Sequence, residues 1–175
     1  MIDCAARGGY ILTQTVLVIC FFLLGCATDK VAWDLVDYVN QGILGIAELE
    51  RRPLERYALA RKDDYATEQR VYNALKEDVL PEYKRFLKLL KQIEPKTEEV
   101  RKLHHVYICG TECIYRGFKT KMAGLEKKDA LIIRAANEEI ERGRIKNEKW
   151  RRELLALFEE HGIESSADFG IPQNK

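Results

Sequence analysis

The stretch that decides the fold is residues 100–125, VRKLHHVYICGTECIYRGFKTKMAGL. An α-helix turns by about 100° per residue, and at that step Val100, Leu103, Tyr107, Ile114, Phe118 and Leu125 fall within one narrow sector. The segment therefore reads as a long helix with one core face. A second row runs beside the first: Val106, Gly110, Cys113, Gly117, Thr120 and Gly124 recur at steps of three and four, with Gly110, Gly117 and Gly124 seven apart. Glycine costs about 1 kcal/mol against alanine inside a helix, so three in one row point to another helix backbone approaching closely there. Chance is the competing account.

The rest of the chain repeats the helical period and shows no alternating β pattern. Upstream, Leu35, Tyr38, Val39, Gly42, Ile46 and Leu49 lay one stripe on a helix expected from Val31 to Arg52. Pro53 removes a backbone donor and clashes with the preceding turn, which predicts a kink or a short second helix before the stripe resumes at Leu54 and Tyr57. Asp63-Asp64 is the next start signal. It opens a helix to Ile93 that is expected to bend at Pro81, because Tyr72, Leu75, Val79, Phe86 and Leu90 keep their phase across it.

Thr97 with Glu98 and Glu99 opens the third helix, and Lys127-Lys128-Asp129 marks the turn into a fourth. Asn147 shares the apolar stripe of that last helix and must find a hydrogen-bond partner if buried. His161-Gly162-Ile163 reads as its end, with Gly162 left-handed and Ile163 folding back. Segments of this length and amphipathicity bury their stripes best as an all-α antiparallel bundle of about four helices, two of them kinked at Pro53 and Pro81.

Lys and Arg number 29 against 28 Asp and Glu, a net charge of +1, so there is no basic field for nucleic acid. No phosphate loop, nucleophile elbow or metalloprotease signature occurs, and no catalysis is expected.

The N-terminal segment carries an address. Ile11 to Leu24 is an apolar core, preceded by Arg7 and followed by Gly25 and Cys26. Leu23-Leu24-Gly25-Cys26 resembles a bacterial lipobox, and the resemblance implies cleavage before Cys26 and diacylation of its sulfur. Each buried CH₂ contributes about 0.8 kcal/mol and stable anchoring needs two chains, which a diacylated cysteine supplies. The competing reading is an uncleaved anchor. A span needs about 20 apolar residues, and residues 10–27 supply 18, interrupted by Thr13, Gln14 and Thr15.

The expected organisation is a signal peptide over 1–25, a lipidated N-terminus and short tether over 26–30, a bundle over 31–163 and a flexible tail over 164–175. The chain resembles small helical envelope lipoproteins of unassigned function. The resemblance implies a membrane-tethered interaction or scaffolding module with a protein partner in the cell envelope. Ala27, where an aspartate tends to retain such proteins on the inner membrane, points to the outer membrane facing the periplasm in a Gram-negative source.

The alternative is a metal- or redox-responsive binding protein. His105, Cys109 and Cys113 step by four on one side of the third helix, and imidazole with thiolate suits zinc or copper. A row on one helix supplies three ligands about 6 Å apart, so a tetrahedral site needs others from a second helix. A Cys109–Cys113 disulfide would strain the turn, since helical residues four apart hold their Cβ atoms about 5–6 Å apart and a disulfide wants about 3.8 Å. Buried thiols packing as small hydrophobes, with no cofactor, are the first expectation. The tyrosines spread over three helices read as core and boundary packing, with a lined ligand pocket as the alternative.

Overall fold

In a computed structural model, residues 29–62 and 67–164 are described. The apolar leader, Cys26, Asp63-Asp64 and the tail beyond Glu164 lie outside the described residues. Four helices follow one another, with no strand among the described residues. Helix α1 covers 30–61, α2 covers 68–90, α3 is Glu98–Lys127 and α4 is Ala130–Glu160. Paired contacts give the directions: Gly42 meets Ile93 while Arg56 pairs with Asp78, and Gly110 meets Asn147 while Gly124 meets Ile133. The chain is the expected all-α antiparallel bundle.

The irregularities are π turns. Helix α1 widens into one at Tyr38–Ile43, and α-helix Leu44–Arg61 continues through a buried Pro53 without ending there. In α2 the π turn is Leu75–Val79, where the Leu80 amide donates to the Leu75 carbonyl, and Pro81 follows at once. A wide turn disrupts the regular ladder just where Pro81 has no N–H to give, so the proline fits at the start of the new α-helical run.

Each helix start has a side-chain acceptor, and three of the four acceptors are local. Asp29 accepts from the amides of Val31 and Ala32 at 3.0 Å, Thr67 from Arg70 at 3.2 Å, and Asp129 from Leu131 and Ile132 at 2.9 and 3.2 Å. Helix α3 borrows its cap from α1: the buried Asp34 carboxylate accepts from the Thr97 amide and hydroxyl, both at 2.7 Å, and from the Lys96 amide at 3.0 Å. Burial pushes that carboxyl up, but these donors outweigh it and hold Asp34 below the usual carboxylate range. Helix α4 ends as expected, with Gly162 left-handed, Ile163 N–H on the Phe158 carbonyl at 2.8 Å and Gly162 N–H on that of Glu159 at 3.2 Å.

The core is aromatic. Trp150 stacks on Tyr107 with centroids 4.0 Å apart, and Phe118 meets the rings of both Tyr57 and Tyr83 edge-on. Against this core α3 and α4 approach backbone to backbone. A Cβ built on Gly110 would lie 1.9 Å from Asn147 Oδ1, one on Gly117 2.6 Å from Ile140 Cγ1, and one on Gly143 2.7 Å from the Gly110 carbonyl. Asn147, Ile140 and Ile133 keep the same seven-residue step opposite Gly110, Gly117 and Gly124. Gly45, by contrast, faces open space.

Two measurements test this frame. Gly45→Ala should raise unfolding stability by about 1 kcal/mol through helix propensity, whereas Gly143→Ala should lower it by about 1–3 kcal/mol through overpacking; denaturant titration reads both. Asp34→Ala should cost about 2–3 kcal/mol at neutral pH, since it strands donors bonded to a charged acceptor. The folded Asp34 titrates below its unfolded value, so its contribution is complete above about pH 4 and is lost as pH falls through the folded pKa. The deficit of Asp34→Ala against wild type should therefore shrink in acid.

Candidate functional site

Of the residues singled out by sequence, Cys26 lies outside the described residues. His105 and Cys109 meet on the outer side of α3, with Nε2 and Sγ 3.5 Å apart. Cys113 does not join them. Its buried thiol turns toward α4, with Lys146 Nζ of that helix 3.7 Å and an Arg116 nitrogen of α3 itself 3.2 Å from the sulfur. Cys109 and Cys113 are free thiols. Among the described residues no three His, Cys, Asp or Glu side chains group as a metal cage requires. Gly110, Gly117 and Gly124 all face α4 across the close backbone contact.

His104, beside His105 on the same helix, is buried. Tyr38 explains how it is accommodated: its hydroxyl accepts from Trp150 Nε1 and meets His104 Nδ1, both at 3.2 Å. Burial drives His104 down to about 4 against the opposing pull of the Leu90 carbonyl. The ring is therefore neutral at pH 7.

Two polar groups inside the bundle escaped the sequence reading. The first is Glu50 on α1, whose carboxylate accepts from the Tyr107 hydroxyl at 2.6 Å and from Asn147 Nδ2 at 3.4 Å. Asn147 thus gains its partner across the bundle, while its Oδ1 lies over Gly110. Burial raises Glu50 to about 7, opposed by Tyr107 and by the charge of Arg151. Its charge in turn helps keep the buried Tyr83 and Tyr107 phenols protonated.

The second is Lys121, only 6 % exposed. Its Nζ donates to the Tyr57 hydroxyl at 2.8 Å and to Asn137 Oδ1 at 2.7 Å. Burial, with Arg61 nearby, lowers it to about 8. Tyr57 and Asn137 line a cavity of about 200 Å³ together with Arg61, Ile140, Glu141 and Arg144. Arg61 lies over the Tyr57 ring, 5.2 Å from its centroid. Among the described residues Lys121, Arg61 and Arg144 make no ion pair.

The signal for both was present in the residue spacing. Ile114, Phe118, Lys121 and Leu125 step by four, three and four, as do Ile43, Ile46, Glu50 and Tyr57 by three, four and seven. A charged residue holding a core position in such a rhythm must find partners inside.

At the other end of the bundle a shallow groove of about 530 Å³ runs between α3 and α4 over Leu103, Val106 and Leu157, with Lys102, Lys149 and Glu153 along it. His161 Nδ1 closes that pole by meeting Asp29 Oδ2 at 2.6 Å, which joins the end of α4 to the start of α1.

Glu50 gives a pH test of opposite sign to Asp34. A folded pKa raised from 4.5 to about 7 means stability is lost as pH rises through that window. Glu50→Gln removes the titration, so its stability relative to wild type should be greater at pH 8 than at pH 4.5 in denaturant melts.

No family model matches the chain, and no curated protein or solved structure shows significant similarity to it.

Proposed function

We propose that the protein is a lipid-tethered helical module of the cell envelope, working by interaction or scaffolding and without catalysis. The observation that carries this reading is Leu23-Leu24-Gly25-Cys26 placed directly after an apolar core. The helical body supports it in one respect. Asp29, the cap of α1, follows Cys26 by three residues, a reach of at most about 11 Å of extended chain. Acyl chains on Cys26 would therefore hold the bundle by the pole where Asp29 meets His161.

Confinement to a surface raises the effective concentration of the bundle toward a partner on the same membrane. Charges of both signs cover the outer helix faces, as in the pairs Arg51–Glu48, Lys96–Asp37 and Lys149–Glu153. Among the described residues no helix is long and apolar enough to cross a membrane.

The intact mass of membrane-extracted, unreduced protein is the test. It should equal a chain beginning at Cys26 plus its acyl groups; a mass retaining Met1 to Gly25 sinks the proposal. The same spectrum under native conditions addresses the second reading, a zinc- or copper-binding protein built on the His105–Cys109 pair with Cys113. That reading requires the added mass of a bound ion.

A further inference from the structure

The geometry points to the cavity beside Lys121 as a binding site for the phosphate group of a small soluble ligand. Lys121 fixes the hydrogen-bond roles of its two partners. An ammonium only donates, so the Tyr57 hydroxyl and Asn137 Oδ1 must each use a lone pair on it. The Tyr57 O–H proton and the Asn137 amide hydrogens are left without that partner, on side chains that line the cavity. The lysine acts as a fixed cation that turns two ambivalent groups into donors.

Arg61 and Arg144 line the same space, and neither is engaged by a carboxylate among the described residues. Guanidinium forks match the geometry of phosphate oxygens. Lys121, Arg61 and Arg144 contribute three positive charges, and Glu141, on the same wall, one negative, so three less one leaves +2. A phosphate monoester carries about −1.5 to −2 at neutral pH. A buried cation without a counter-ion is costly to the fold, and an oxyanion in this cavity supplies the missing charge.

The volume restricts the ligand. About 200 Å³ holds a phosphate with a small organic remainder. The position restricts its source. Helix α1 runs from its cap at Asp29 to Arg61, and 32 residues at about 1.5 Å each make about 48 Å. The cavity thus sits at the opposite pole from Asp29, which favours a soluble ligand over the headgroups of a membrane holding Cys26.

The experiment uses the full chain in detergent, titrated calorimetrically with inorganic phosphate against potassium chloride of equal ionic strength, with thermal melts alongside. Wild type should bind phosphate saturably and not chloride. Arg144→Gln, whose side chain makes no hydrogen bond or ion pair among the described residues, should melt like wild type and bind about tenfold or more weaker, the loss of one charge-assisted contact. Lys121→Met should melt higher than wild type without phosphate, because a costly buried charge is gone, and should lose the phosphate response. Absence of saturable phosphate binding by wild type overturns the inference, as does equal binding by both variants. A response to phosphatidic acid vesicles without one to inorganic phosphate overturns it as well.

Discussion

The bundle depends on the contact of two helix backbones along the α3–α4 line. Where Gly110, Gly117 and Gly124 face Gly143, Ala136 and the Ile133–Ile140–Asn147 row, there is no room for a methyl group, so dispersion acts between main chains over several turns. One consequence follows for every other layer. The large side chains of both helices are displaced to the flank of that line, and Tyr107, Phe118 and Trp150 meet α1 and α2 there as an aromatic slab. Asn147 shows the constraint at its tightest, since its amide fits only over a residue without Cβ and reaches Glu50 on α1 from that place.

The first half of the chain joins this pair through the shared apolar core and through a few directional bonds. Asp34 supplies the start of α3 with an acceptor that the local sequence lacks, because the Thr97 hydroxyl itself donates to Asp34. Asp29 and His161 fasten the first turn of α1 to the last of α4. Helix α1 therefore serves as an extended clamp across the ends of the hairpin, and its π turn at Tyr38–Ile43 places Tyr38 between Trp150 and His104.

Helix number and order, and the ends of α3 and α4, were legible in the sequence because periodicity and terminal-residue chemistry act over a few residues, whereas α1 runs on to Arg61 and α2 takes its cap from Thr67. Asp129 caps α4 with its side chain and Gly162 supplies the left-handed end, while Thr97 holds the N-cap position of α3 but donates its hydroxyl to Asp34 instead of capping. Pro53 does not end its helix for a physical reason: one proline costs a helix a few kcal/mol, and a buried stripe on both sides of it is enough to carry the helix through. The π turns had no sequence signal beyond Pro81. The polar interior was missed because a lone lysine or glutamate is almost always solvated, and the partners that bury Lys121 are 64 and 16 residues away. The His105–Cys109–Cys113 row shows the converse limit. Spacing by four sets side chains on one helix side, yet Cys113 drifts far enough around the axis to face α4 and leave the other two outside.

Three charges inside the bundle, Asp34 and Lys121 buried and Glu50 half-buried, differ in how fully the fold answers them, and the difference has a direction. Asp34, near the Asp29 pole, is met by the Thr97 hydroxyl and two main-chain amides, and its acidity strengthens. Glu50, midway, has one strong donor in Tyr107 and one long one in Asn147, and its carboxyl weakens. Lys121, at the far pole, is met by two neutral oxygens and repelled by Arg61, so its ammonium is the least compensated. Cost alone would put the poorest compensation where the core is deepest or water is nearest with equal indifference. It occurs instead at the charge whose two partners form the wall of a cavity that also presents two guanidinium groups engaged by no carboxylate among the described residues. A lysine serving only to fill the core would be better replaced by methionine. What Met at that position could not do is orient Tyr57 and Asn137 so that both offer hydrogens to whatever enters.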